Sequence, residues 1–414
     1  MTAMSVMIAA PAHAQSEPGG VDFFSREAFR GLIDVRAALS DGEPSWVDGG
    51  FGKTRYGGDS GRNFQPDLHM ANAILEWRPR LGWSLSGVVD LEVQSDPETT
   101  IDFTEAYLQY KPLLPGGTKV SARAGLFYPP VSLEHDGPAW TTTRTITPSA
   151  INSWIGEEVK ALGGEVGVKR EFAGHELGLT LGGYGSNDTA GTLLSFRGWS
   201  LNDVRATAFG DYPLPALNSF IRTRQYPSTT PTLELDDRLG YYVRADWRPP
   251  APFAINAIYY DNLGDMESRN VFREWSWLTR FYNIGGVWTP RESTEVLAQA
   301  MWGETLMGFP RPVQRWVEVN YSSAYLLVSQ RYGASAVTGR IEAFETENRS
   351  ALNLGNYNEE GWALTTALRH DFTDGFQLMF EALHVDSNRP SRGLARLPAD
   401  QKTTTLQASA RFWF

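Results

Sequence analysis

Glu134, His135 and Asp136 stand side by side and offer three groups that bind metals or move protons. Adjacent side chains diverge, and a metal site draws its ligands from separated positions, so no metal and no cofactor is expected here. Hydrogen bonding at a narrow passage is the expected role. Gly58-Asp59-Ser60-Gly61 has the form of a serine-nucleophile motif. That chemistry needs a histidine base and an acid in place. The one preceding histidine is His13, and His69, His135, His175, His370 and His384 stand beside no obvious serine motif. A loop turn is expected at Ser60, and no catalytic residue is expected.

Charged residues recur at alternate positions: Arg36, Lys119, Arg123, Arg238, Arg244 and Arg248, interleaved with Asp34, Glu76, Asp90, Glu105, Asp246 and others. Side chains alternate faces in an extended strand, so each set shares one face. Arg238, Arg244 and Arg248 would form a short basic ladder lining an anion path. The alternative is a wall of cross-strand ion pairs.

The elements that carry these residues follow the same two-residue rhythm. Lys402 to Phe414 places Leu406, Ala408, Ala410, Phe412 and Phe414 on one face and Thr405, Gln407, Ser409 and Arg411 on the other. Trp83 to Gln94 alternates as clearly. About sixteen such stretches are expected, an even number as bacterial barrels require. Alternate connections are long, and the others are short turns. Trp77, Trp83, Trp247, Trp288 and Trp413 are expected at the short-turn ends, with Trp302 and Trp362 at the long-loop ends, as interfacial belts.

The chain has 414 residues, a net charge of −11 and no cysteine. Its mean hydropathy is −0.32. No apolar run of about 20 residues is present, so helices are not the spanning elements. The acidic balance argues against a nucleic-acid partner. Met4 to Ala10 is a short apolar run before Ala12-His13-Ala14, so residues 1–14 are expected to be a cleaved export signal, with the barrel domain over 15–414; no Lys or Arg precedes the run, as expected if the signal begins upstream of Met1.

Two stretches carry a family resemblance. Gly125 to Val168 has a Gly-x-Phe-x-x-Pro strand end, Ser132-x-Glu134, a Thr-rich segment and a return through Ala161-x-Gly-Gly-Glu-Val. Phe103-Thr-Glu-Ala-Tyr-Leu108 precedes it. Together they resemble the phosphate-selective porin (O and P) family. The closing strand resembles the last strand of an outer-membrane barrel, where the final aromatic serves as an assembly signal, here Phe412 and Phe414. The resemblance implies a sixteen-stranded homotrimeric porin whose third long loop, Pro129 to Lys160, folds into the channel, and an anion path lined by Arg and Lys. In this chain the loop carries Arg144 and Lys160 against Glu134, Asp136, Glu157 and Glu158. That balance favours a general porin over a phosphate channel.

The expected fold is therefore an all-β transmembrane antiparallel β-barrel with an inward-folded constriction loop. The expected function is passive diffusion of small polar or anionic solutes across the Gram-negative outer membrane. The alternatives are a phosphate or anion channel, a structural or adhesive barrel, and a barrel hydrolase. The expected partners are outer-membrane lipid and the barrel-assembly machinery.

Overall fold

In the computed structural model, residues 20–59, 63–94, 101–309, 315–352 and 355–414 are described. The expected signal (1–14), Ser60 and Gly61 of the serine motif, and the connection Ser95 to Thr100 lie outside them. The first eight barrel strands are β1 (Phe29–Ser40), β2 (Gln65–Trp77), β3 (Leu85–Gln94), β4 (Asp102–Tyr110), β5 (Thr118–Phe127), β6 (Ala161–Phe172), β7 (His175–Gly185) and β8 (Gly240–Arg248). The second eight are β9 (Phe253–Asp261), β10 (Leu278–Arg291), β11 (Thr294–Met307), β12 (Val317–Tyr332), β13 (Ser335–Asn348), β14 (Glu359–Thr373), β15 (Phe376–Asn388) and β16 (Asp400–Trp413). Each pairs antiparallel with the next, and β16 returns to β1, which closes the barrel. Closure leaves no strand edge to pair elsewhere.

At the seam Ile33 lies opposite Phe412, Asp34 opposite Arg411 and Ala37 opposite Ala408. The last residue extends the ladder: Gly31 N–H donates to the Phe414 carbonyl at 3.0 Å, and Phe414 N–H donates back at 3.2 Å. The Phe414 ring covers Gly31 so closely that a Cβ there would stand 2.0 Å from it.

Polarity is reversed relative to a water-soluble sheet. Ile33, Val35, Leu39, Leu406 and Phe412 are exposed on the outer face, while Asp34, Arg36, Gln407 and Arg411 are buried on the inner one. Water on the outside would make this costly, because apolar area gains by leaving water. Surrounding lipid removes the cost, and the two-residue period sorts the side chains.

Trp83, Trp247 and Trp288 are exposed at the short-turn end, and Trp302 and Trp362 towards the long-loop end. Trp77 donates its indole N–H to the Phe23 carbonyl. Trp413 differs from expectation. One residue past outward Phe412, it turns inward and packs on Leu32, Ile74 and Ala139. Its position at a strand end was legible, but parity assigns it to the other face.

Candidate functional site

Three long-loop segments fold into the lumen. The first leaves β5 at Tyr128, whose N–H donates to Glu105 at 3.2 Å. Arg123 donates to the Tyr128 carbonyl at 3.0 Å, and Arg244 to that of Pro130. Beyond, Ser132 Oγ accepts the N–H groups of Glu134 and His135 at 3.1 and 3.2 Å, which locks a turn. His135 Nδ1 meets the same hydroxyl at 2.8 Å. Its ring stacks on Trp140 at 3.6 Å, and Tyr128 stacks on Trp140 at 3.8 Å. Ala139 and Trp140 take left-handed backbone angles (φ +50° and +57°), which L side chains adopt at a cost. The stack fixes that tip against β2, where Ala139 N–H donates to Glu76 at 3.3 Å.

The same segment then runs along the wall formed by β13 to β16 and turns into α1 (Ala150–Glu158). Ser149 is its N-cap, accepting from Asn152 N–H. Acidic wall side chains take the free N–H groups: Glu381 accepts from Ile146 at 2.6 Å and Thr147 at 3.1 Å, and Glu342 from Ala150 at 2.7 Å. Carboxylates suit a helix N-terminus, where the partial charge is positive. Basic wall side chains take the carbonyls: Arg411 donates to Thr142 at 2.6 Å, Arg369 to Thr143 at 2.9 Å and Arg340 to Thr147 at 2.8 Å. The interleaved charges of the inner wall thus satisfy a backbone that runs where water is excluded.

The second inserted segment, 187–236, packs on the first. Trp154 of α1 meets Trp199, Phe281 and Tyr321 edge-on at 6.1, 5.5 and 5.1 Å. Glu157 pairs with Arg197 at 2.6 Å and accepts Ser200 Oγ at 2.7 Å. Glu158 accepts the N–H groups of Leu193 and Leu194 at 2.7 and 3.1 Å. The short helix Thr192–Phe196 begins at Gly191, which has no capping side chain, so Glu158 caps it from another segment. Burial pushes the Glu158 carboxyl up to about 7, against these two N–H groups, the Trp154 indole and Arg197.

The third segment, after β1, meets the second at Asp203. That carboxylate takes Arg36 at 3.0 Å and Arg55 at 3.1 Å. Burial would raise it, but the two guanidinium groups hold it well below the usual carboxylate range. Lys53 pairs with Glu359 of β14 and donates to the Trp199 carbonyl at 2.8 Å.

The residues expected to line a constriction divide in two. Glu134, Glu157, Glu158 and Lys160 are buried at the joints of the inserted segments. Glu134 pairs with Arg340 at 2.9 Å and accepts Ser149 N–H at the same distance. Lys160 donates to the Ala206 carbonyl at 2.6 Å with its ammonium 3.8 Å above the Tyr128 ring. Burial lowers that ammonium, against Glu105 and Glu92. Asp136 and Arg144 instead face the short-turn side, paired to each other at 2.9 Å, with Arg144 also reaching Glu295 at 2.5 Å. His135 lies between, partly exposed, and burial lowers its imidazole well below the ordinary value.

Arg238, Arg244 and Arg248 do not form one ladder. The strand starts at Gly240, because Asp237 takes a left-handed angle (φ +59°), so Arg238 lies outside it and pairs with Asp265 at 2.9 Å. Arg244 is mid-barrel, and Arg248 is exposed at the short-turn end. Arg123 makes the expected cross-strand pair, with Glu165 at 3.1 Å. Lys119 reaches Glu176 at 3.0 Å near the turns. Four inner-wall pairs, however, lie within one strand at a spacing of two: Arg36 with Asp34 at 2.8 Å, Arg244 with Asp246 at 2.6 Å, Arg340 with Glu342 at 2.8 Å and Arg369 with Asp371 at 3.3 Å. Residues two apart share a face and stand only about 7 Å apart along the strand, so long side chains close the gap.

Glu134, His135 and Asp136 diverge to Arg340, Trp140 and Arg144. Among the described residues, a carboxylate group that could hold a cation is Asp188, Glu234 and Asp236, with oxygens within 4.8 Å of one another. These oxygens already accept N–H groups: Asp188 from Leu235 at 2.6 Å, Glu234 from Ser186 at 2.8 Å. Arg197, Asp203, Lys53 and Glu359 escape sequence reading. Of the second segment, only its content of Phe196, Trp199, Tyr212 and prolines hints at packing.

No protein-family model and no curated protein matches the chain. Solved structures do. The outer membrane channel DcaP of Acinetobacter baumannii is 9% identical, with a TM-score of 0.54, 95% of this chain covered and 99% of that one. OmpT, an outer membrane protein of Vibrio cholerae, lacking loop L8, is 12% identical at a TM-score of 0.52, covering 96% and 100%. The anion-selective porin from Comamonas acidovorans is 10% identical at 0.50, covering 93% and 98%. The likeness lies in the fold: like them, this chain is a closed antiparallel barrel.

Proposed function

We propose that the protein is an outer-membrane porin that passes small polar solutes by diffusion through a lumen narrowed by three inserted segments. The observation that carries this reading is the inverted polarity of the closed sheet, lipid-compatible outside and charged inside. A barrel of this strand number encloses a water channel unless it is filled. Here segments 128–160 and 187–236 and the turn around Lys53 fill much of it, so the solutes are small. Passage follows the short-turn face of the first segment, past Asp136, Arg144 and His135.

Phosphate or general anion specificity is not part of the proposal, because Arg36, Arg123 and Arg244 each face a carboxylate. Nor is turnover: Ser132 and His135 are locked in a turn beneath a ring stack. The working form is a homotrimer, exported by residues 1–14 and inserted by the assembly machinery through Phe412 and Phe414. Planar-bilayer recording tests the reading. Three-step insertions with a small conductance are expected, and a folded barrel that never conducts would refute it. Deleting 129–160 is expected to raise the conductance.

A further inference from the structure

A cavity of about 630 Å³ opens on the outside of the barrel, away from the lumen. It falls where the outward face changes character. On β10 the outward side chains run from Ile284 through Tyr282 to Arg280, and on β11 from Ala300 through Trp302 to Glu304. On β12 they run from Ala324 through Ser322 to Asn320, and on β13 from Ala343 to Glu345 and Glu347. Each strand thus passes from lipid-compatible to polar or charged within four residues. The cavity therefore lies at headgroup depth on the long-loop side.

Its shape comes from a break in the aromatic row. Tyr282 and Trp302 stand opposite one another and stack at 5.9 Å and 19°, with about half of each side chain exposed. The next position along the sheet, opposite Trp302, is Ser322. A large residue would continue the row, and the small hydroxyl leaves a hollow instead. Beyond it Glu345, opposite Ser322, accepts its hydroxyl at 2.9 Å, and Glu347 stands opposite Asn320. The one cation, Arg280, is already paired with Glu304.

An aromatic wall on one side and carboxylate, amide and hydroxyl groups on the other match one ligand class. A pyranose ring has a flat face of C–H bonds with partial positive charge, which suits the negative face of an indole. Its rim of hydroxyls donates to carboxylates. The volume falls in the range of small-molecule sites, about 300–1,000 Å³. Glu304 and Glu347 are balanced by Arg280 and by Arg349 at 3.0 Å, so the rim keeps the negative charge of Glu345, which repels phosphate and sulfate. We propose that this cavity binds the uncharged pyranose headgroup of an outer-leaflet glycolipid. The site rests on the membrane placement of the barrel but not on its conductance.

The test uses the full chain in nanodiscs of phosphatidylcholine containing a small, equal fraction of monoglucosyl diacylglycerol and phosphatidylglycerol with matched acyl chains. Lipids retained on the protein are counted by native mass spectrometry. The parent is expected to retain the glucolipid at least fivefold over phosphatidylglycerol. Ser322→Trp, which fills the hollow, and Glu345→Ala are expected to reduce that ratio to about one. Heat-modifiable migration confirms closed barrels, and Trp302→Leu serves if Ser322→Trp does not fold. Equal retention of the two lipids by the parent overturns the proposal, as does an unchanged ratio in the variants. Displacement of the lipid by millimolar methyl glucoside would assign the site to free saccharide and overturn the headgroup source. Channel recordings of the same variants are expected to match the parent, so loss of the lipid ratio and loss of conductance are separate outcomes.

Discussion

Glu157 at the end of α1 and Arg197 of the second inserted segment form a fully buried ion pair of 2.6 Å. It ties two loops that leave the sheet at different points into one body. Removing one partner of such a pair leaves a buried charge, at a cost of about 3–5 kcal/mol. Arg197→Met is expected to free the second segment and raise single-channel conductance severalfold. Adding Glu157→Gln to it is expected to bring the value back towards the parent. A conductance unchanged by Arg197→Met would show that the segments hold without the pair.

Glu158 supplies a pH dependence. Its ordinary carboxyl value of 4.5 rises to about 7 on burial, so the folded chain holds this proton where the unfolded chain releases it. The stability contribution is full below 4.5 and is lost as pH rises through about 7, a span of about 3 kcal/mol. Urea unfolding in detergent is the measurement. From pH 5 to 8 the parent should lose stability relative to Glu158→Gln, which does not titrate. Parallel curves for the two proteins would exclude Glu158 as the source.

Arg244 is neutralised by Asp246 and donates to the Pro130 carbonyl. Arg244→Gln is therefore expected to loosen the base of the first segment more than to alter ion preference. Conductance should rise, while the reversal potential in a tenfold salt gradient shifts by only a few millivolts toward cations. A large shift would make Arg244 a selectivity residue.

Gly31 admits no side chain beneath the Phe414 ring. Gly31→Val is expected to reduce the heat-resistant folded fraction severalfold, and Phe414→Ala to restore part of it in the double variant. If Gly31→Val folds as well as the parent, the ring position is not part of closure.

The strands were legible because lipid outside and charge inside impose a two-residue period that no helix shares. Leu406 to Phe412 displays it without interruption, and β8 starts only at Gly240 because Asp237 before it turns left-handed. The loop after β5 was legible as an insertion through its motifs. Its chemistry was less so. Glu157 and Glu158 read as residues facing solvent because their partners, Arg197 and the N–H groups of Leu193 and Leu194, lie on a segment with no period at all. Packing between two irregular segments depends on their paths, and no spacing in the sequence records a path. The inner-wall charges are visible as a set, but alternation alone predicts partners on the next strand, whereas Arg340 and Glu342 pair with one another on the same one.

That last arrangement bears on the order of assembly. A cross-strand pair leaves each charge exposed until its neighbour arrives. An Arg and a carboxylate two residues apart neutralise one another as soon as their own strand is extended. β1, β8, β13 and β14 each carry such a pair, so each can join the growing sheet already compensated. Registry on these strands is then left to the backbone ladder and the outward apolar row, whereas Arg411 with Asp34, across the seam, must wait for the chain to close.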